Sequence, residues 1–471
     1  MPDKSRNIIE QDFSNILISK RNTQEYLKQN GLQKNFTFTH LWGICVGAVI
    51  SGQFIGWNNS LNYINPYGLL FLTLVVAIFY IILVLVLTKL SVSLPYAGGS
   101  YAYARKAFGK LPGFLAGYIT MVEYLCITAV ILLYMESYIG VMLGIVWPNL
   151  ISLIIFFSLI GIQFLGANKS SFSELLITCL CVSIFILFFF GISSIEKSNI
   201  NTVSLYNNSL QGFFSALPYV LWFFVGIDVV ILTAEEIKIP GKSLPGSFYA
   251  GIFTIIVLSF GVIFFSVTSV YWTVLRETDY PLIFILEKLQ RSDTVLLAVF
   301  SFLSISSFIA SINGMMIGYS RQAFSLARAG YFPRFMDKIL KKTKAPFMAL
   351  IISSIIVVLI AQIRDSRILI QIVCVCAIVS YTISLGSFIK ISRKSDQSLW
   401  NKFIALIGLL VCLTILVGLF VFQIKSILIT LGIILIGIIY YSIFVRGQIN
   451  RDAPEEVEAN IDDINIIIDK L

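Results

Sequence analysis

The run LLFLTLVVAIFYIILVLVL, Leu69 to Leu87, carries no charged residue and no helix breaker. A helix of about 20 such residues matches the hydrocarbon core of a bilayer. Stretches of this kind recur along the whole chain, so the fold has to satisfy every backbone polar group without water. Composition agrees: of the 471 residues 57% are hydrophobic and 13% are charged, where soluble domains average about 25% charged. The long uncharged runs lack the alternating ten-residue signature of an outer-membrane barrel. The sequence therefore specifies an all-α polytopic membrane protein.

About twelve transmembrane helices are expected, at roughly 39–60, 66–94, 112–141, 149–168, 173–193, 213–236, 247–274, 294–326, 346–362, 366–390, 402–422 and 426–446. With the N-terminus in the cytoplasm, about 27 of the 34 Lys and Arg fall on inside segments. An even number of spans returns the C-terminus to the same side. The net charge of +9 thus marks cytoplasmic loops and implies no nucleic-acid partner. The domain organisation reads as a cytoplasmic arm (1–37), a transmembrane domain (38–446) and an acidic cytoplasmic tail (447–471). The first 36 residues are polar and of mixed charge, so no cleavable signal peptide is expected. All seven cysteines fall in apolar spans and read as small core residues, without metal-ligand spacing. The tail carries Asp452, Glu455, Glu456, Glu458, Asp462, Asp463 and Asp469 beside the apolar run Ile464 to Ile468. It reads either as solvated or as docking onto the basic loops.

Two spans break the apolar pattern. The first contains GAVISGQFIGWN, Gly47 to Asn58, with Ser51, Gly52 and Gln53 in a row. The sixth contains LPYVLWFFVGIDVVILTAEE, with Gly226, Ile227 and Asp228 at its centre. They lie five spans apart, at matching positions of two halves near 38–193 and 213–390, with extra helices over 402–446. Interrupted helices at matched positions point to a 5+5 inverted repeat, with discontinuous helices 1 and 6 and a binding site at the midplane. Unwinding at Ser51–Gln53 frees backbone N–H groups that take polar or anionic atoms; the competing reading is close helix packing through small residues.

Asp228 is costly at mid-span, by about 2.5–3.5 kcal/mol on insertion scales. It reads as a carboxylate for a substrate amine or a proton, or as a structural group bonded to the unwound backbone. Glu123 is expected to face the bundle interior near Tyr118, Tyr124 and Thr128, whereas Glu136 lies nearer the outer end. Glu235 and Glu236, beside Lys238 and Lys242, read as gate or interface charges. Trp57, Trp222, Phe223 and Phe224 flank the breaks as core or as a cation–π wall for an ammonium group. His40 reads as interfacial. The candidate substrate-binding set is Ser51, Gly52, Gln53, Trp222, Gly226, Asp228 and Glu123. Neither a nucleotide-binding glycine loop nor a nucleophile–base pair is present, so an enzyme or an ATP-driven pump is not expected.

LPYAGGSYAYARKAFGKLPGFLAGY, ALPYVLWFFVGIDVVILTAEEIKIPGKSLP and GYSRQAFSLARAGYFPRF resemble motifs of the amino acid–polyamine–organocation superfamily, over roughly residues 38 to 445. A Glu commonly stands in that family where Asp228 stands here. GAVISGQFIGWN, MVEY and NGMMIGYSRQAFSLARAGYFPRF look most like its ethanolamine permease branch, which often has an acidic residue in place of Gln53. The resemblance implies a secondary active permease of a bacterial cytoplasmic (inner) membrane, importing or exchanging ethanolamine or an amino acid. Amino acid/polyamine antiport and a non-transporting amine sensor are the alternatives. It implies no cofactor, with coupling to protons or sodium or by exchange. Asp228, Ser306 and Ser307 are the coupling and gating candidates. Some relatives place a lysine in span five in lieu of sodium, and none stands between residues 173 and 193. No cysteine lies between 141 and 150, so a disulfide-linked heavy chain is not expected. The oligomeric state is not legible.

Overall fold

The computed structural model describes residues 31–144, 147–193, 209–289, 294–393, 398–445, 449, 453–457 and 459. These residues are helical almost throughout; their β-type pairing is an isolated bridge between Phe36 and Ile237. In chain order the α-helices are α1 (Phe38–Ile50), α2 (Pro66–Ser93), α3 (Ser100–Phe108), α4 (Lys110–Leu143), α5 (Pro148–Phe164), α6 (Ala167–Ser193), α7 (Leu210–Leu221) and α8 (Pro240–Ser269). They continue with α9 (Trp272–Leu275), α10 (Pro281–Leu289), α11 (Thr294–Arg328), α12 (Phe347–Ala361), α13 (Ser366–Ser392), α14 (Leu399–Phe422) and α15 (Ile424–Tyr440). Among the described residues, nine helical segments are long and apolar enough to cross a membrane. The shorter apolar helices α5, α7 and α12 occupy the places of three other expected spans.

Local chemistry sets several of the helix starts. The Asn65 side chain accepts from the Gly68 N–H with Pro66 at the first helical position, and Asp365 accepts from the Ile368 N–H. In α14 one stripe, Phe403, Leu406, Leu410, Leu413, Val417 and Phe420, is exposed, while Ala405, Gly408, Cys412 and Leu419 on the other side are buried. An apolar exposed stripe of this extent is a lipid face, since water would penalise it. Inside the bundle small residues bring backbones together: a Cβ at Gly314 of α11 would stand 2.9 Å from the Ala48 Cα of α1. Six of the seven cysteines are buried, whereas Cys179 is exposed.

The basic end of the bundle buries its acidic residues. Glu235 and Glu236 do not pair with Lys238 and Lys242, which are exposed. Both carboxylates point inward, where two arginines of α11 meet them. Arg328 reaches Glu235 at 2.9 Å and Arg321 reaches Glu236 at 2.9 Å. Neutralisation by a fork-shaped guanidinium is what makes such deep carboxylates tolerable. Of the two readings of the tail, the structure has the docked one for residues 453–457. Glu455 accepts from the Ser325 hydroxyl at 2.8 Å and pairs with Arg328. Glu456 pairs with Arg105 of α3 and accepts from the hydroxyls of Tyr101 and Tyr331, each at 2.9 Å. Burial, and next the Glu456 charge, push the Tyr331 phenol well up, so it stays a donor. Asp452, Glu458, Asp462, Asp463, Asp469 and the run Ile464–Ile468 lie outside the described residues, as does most of the arm expected at 1–37.

Candidate functional site

The first break is built by a side chain from another helix. α1 stops at Ile50, and Ser51–Gln53 forms a short 3-10 turn. In an unbroken helix the Ser51 N–H would bond to the Gly47 carbonyl. Here the Ser311 hydroxyl of α11 stands between them, accepting from the Ser51 N–H at 3.1 Å and donating to the Gly47 carbonyl at 2.8 Å. Insertion of a hydroxyl into the helical ladder is a recognised cause of such breaks. The chain then turns at Gly56, φ 87°, into a second 3-10 segment, Trp57–Asn62.

The second break follows the same plan. α7 ends at Leu221, Gly226 takes φ 90°, and a 3-10 segment runs from Ile227 to Glu236. Both glycines hold backbone angles that a side chain disfavours. The two breaks touch. A Cβ at Gly52 would stand 2.8 Å from the Trp222 carbonyl oxygen, and one at Gly56 would stand 2.8 Å from the Trp222 ring. Gln53 donates a long 3.4 Å bond to the Phe223 carbonyl, and its own carbonyl oxygen is buried without a partner. Trp57 stacks on Phe223, with ring centroids 6.1 Å apart. Gly56→Ala is expected to cost about 1–3 kcal/mol from backbone strain alone, with the ring clash added. A lowered unfolding temperature of the purified variant checks it.

Asp228 sits on the first turn of the 3-10 segment Ile227–Glu236, buried, with a donor on each oxygen. The Tyr124 hydroxyl of α4 donates at 2.8 Å and the Tyr381 hydroxyl of α13 at 3.0 Å. Two neutral donors thus orient the carboxyl group. Tyr381 also packs edge-on to Tyr80, ring centroids 5.9 Å apart, and Tyr80 stacks on Phe224 at 5.1 Å. Tyr381, Tyr80 and Phe224 thus form an aromatic cluster beside the carboxyl group, and aromatic faces attract cations. Glu123, the neighbour of Tyr124, is fully buried within electrostatic reach of Asp228, and neither of its carboxylate oxygens has a hydrogen-bond partner.

The expected residues fall into two groups. Ser51, Gly52, Gln53, Trp222, Gly226, Asp228 and Glu123 gather around the touching breaks. The Ser306 and Ser307 hydroxyls bond to the carbonyls of Phe302 and Ser304 on their own helix, with Ser307 one turn before Ser311. Glu136 lies away from the breaks, paired with Arg364. Sequence reasoning missed Ser311, Tyr381 and Tyr80. Ser311 is one serine of a serine-rich helix, and its neighbour across the bundle is a tertiary fact. Tyr381 carried a weak signal, as a phenol at mid-span that has to find a polar partner.

The chain matches the family profile described as amino acid permease over residues 36–445. It is 26% identical over 324 residues to an uncharacterized transporter of Rhizobium meliloti (strain 1021), covering 66% of this chain and 69% of that protein. It is 23% identical over 357 residues to the amino-acid permease AapA of Bacillus subtilis (strain 168), covering 73% of this chain and 76% of the relative. The branched-chain amino acid permease BcaP of the same organism is 23% identical over 334 residues, 64% of this chain and 69% of the relative. These proteins are transporters rather than enzymes. A match across most of the chain, on a bundle of helices of membrane-crossing length, makes the conclusion plain: this protein is a multi-pass membrane protein of the amino acid permease family.

Proposed function

We propose that this chain is a secondary active transporter for a small amine-bearing solute, working by alternating access in a bacterial cytoplasmic membrane. The observation that carries the reading is Asp228, buried at the second break, oriented by two tyrosine hydroxyls and set beside an aromatic cluster. With Glu123 beside it, the site offers two carboxyl groups that an entering protonated amine would hold ionised by an ion pair, with aromatic faces at hand for cation–π contact. Ethanolamine, a cation with one hydroxyl, suits two carboxylates and the bare Gln53 carbonyl oxygen. An amino acid is the second reading, favoured by the amino acid permeases among the relatives. Its carboxylate would lie against the N–H groups at the first break.

In this proposal the chain has twelve spans arranged as a 5+5 inverted repeat plus two. The basic end, with Arg321, Arg328 and the docked tail, faces the cytoplasm, as do both termini. The Glu235–Arg328 and Glu236–Arg321 pairs then close the inner side of the path. A thermal-shift screen of purified protein against ethanolamine, polyamines and the amino acids tests the substrate class, because a ligand bound by the folded state alone raises its stability. The true solute at 100 times its Kd adds about 2.7 kcal/mol. A flat response to every amine removes the reading. Binding without uptake into proteoliposomes would make the protein a sensor.

A further inference from the structure

The Glu235–Arg328 pair has a companion on each side, one from the arm ahead of α1 and one from the tail after α15. The Leu32 N–H of the arm donates to Glu235 Oε1 at 3.1 Å. Backbone bonds fasten the same arm to the 3-10 segment that carries Glu235. The Asn35 and Phe36 N–H groups donate to the Glu236 carbonyl at 2.8 and 3.0 Å, and the Lys238 N–H donates to the Phe36 carbonyl at 3.3 Å. On the other side Glu455 of the tail accepts from Arg328 Nη2 and from the Ser325 hydroxyl, both on α11. Its neighbour Glu456 is anchored on Tyr101 and Arg105 of α3 and on Tyr331, just past α11.

Parting of the segment Ile227–Glu236 from α11 therefore divides the companions as well. The arm leaves with Glu235, and the tail stays with Arg328. A longer bond to Glu235, 3.4 Å from the Ala97 N–H ahead of α3, breaks together with the pair. Separating two buried ions ordinarily strands both, so such a pair resists opening. Here Glu235 keeps the Leu32 N–H and Arg328 keeps a carboxylate. Glu455 also weakens the closed pair, because two anions divide one guanidinium. The neighbouring pair is built differently. Arg321 meets Glu236 with two nitrogens, at 2.9 and 3.3 Å, and its third donates to the neutral Ser320 hydroxyl at 3.0 Å. Among the described residues its carboxylate partner is Glu236 alone.

We propose that Glu455 is a positioning residue of the inner gate, a counter-charge that holds Arg328 when Glu235 departs and so eases opening on this side. It acts through Arg328 and touches no solute. The sign is the reverse of a plug: losing the Glu455 charge disfavours the open gate, whereas losing a plug would favour it. The role in solute movement rests on the permease reading above; the effect of Glu455 on the gate does not.

Spin labels on Lys238→Cys and Lys338→Cys, both at exposed positions, read the distance across the gate by pulsed electron resonance. Cys179, the exposed native cysteine, is replaced by serine, and the other six are buried. Full-length protein in lipid nanodiscs should show a short and a longer distance, for closed and open gates. Glu455→Gln should lower the ratio of long to short by about tenfold, within the usual range of coupling between two sites. Glu455→Asp, which keeps the charge, should restore most of it. With Glu235→Gln as background there is no ion pair to part, so E455Q should then leave the ratio unchanged. An unchanged or raised ratio in E455Q, or an equal fall in both backgrounds, overturns the proposal, and a raised ratio makes the tail a plug. A single distance in the protein without these Glu455 and Glu235 changes, with and without amines, overturns it too, because the gate then does not open. A protein that shows both distances yet moves no labelled solute defeats the permease reading and leaves the effect of Glu455 standing.

Discussion

Asp228→Asn is expected to weaken solute binding and uptake by about 30-fold to several thousand-fold while leaving the protein folded. The range follows from the roughly 2–5 kcal/mol lost when one partner of a buried charged hydrogen bond is removed. The substitution is nearly isosteric. Tyr124 can still donate to the asparagine oxygen, and the Tyr381 hydroxyl, which donates to the other oxygen now, can turn to accept from the new amide. The bundle therefore loses a charge without a cavity or an orphaned group. Equal melting temperatures of wild type and variant without solute, together with collapsed uptake, are the expected pair of results. Wild-type uptake by D228N would remove Asp228 from the solute pocket.

Arg328→Met is expected to destabilise the protein by about 3–5 kcal/mol, the usual cost of breaking a buried ion pair from one side. Arg328 stands between Glu235, at 2.9 Å, and Glu455, and all three side chains are at most 5% exposed. Removing the guanidinium leaves two enclosed carboxylates facing each other. Adding Glu235→Gln and Glu455→Gln to the same variant should recover most of the loss, because neutral amides leave no uncompensated charge. Thermal unfolding in one detergent, compared across wild type, single and triple variants, reads this directly. A single variant as stable as the wild type would mean that water reaches the pair.

The candidate site was partly legible because polar residues in an apolar span have few explanations. Ser51, Gly52 and Gln53 announced a break, and Asp228 announced a partner, from position alone. What supplies the break and the partners was not legible. Ser311 looks like its neighbours Ser306 and Ser307 until the packing of α11 on α1 selects the face that reaches Gly47. The partners of Glu235 and Glu236 were not legible: Lys238 and Lys242 are exposed, and the arginines that pair with the two carboxylates come from a distant helix. Helix α3 passed as loop because its short length gives too few turns for a periodic signal.

The docking of Glu455 and Glu456 imposes an order on biogenesis. Arg105 belongs to a stretch made after the second span and Arg328 ends α11, whereas Glu456 and Glu455, which pair with them, are translated only after every helix of the bundle. The contacts that Glu455 and Glu456 make with Arg105, Ser325, Arg328 and Tyr331 therefore form only once the bundle is complete, when the final segment folds back onto it. Closure is then the last event of assembly, and a chain interrupted shortly before residue 455 would insert all its helices yet keep an unsealed end that quality-control proteases can recognise.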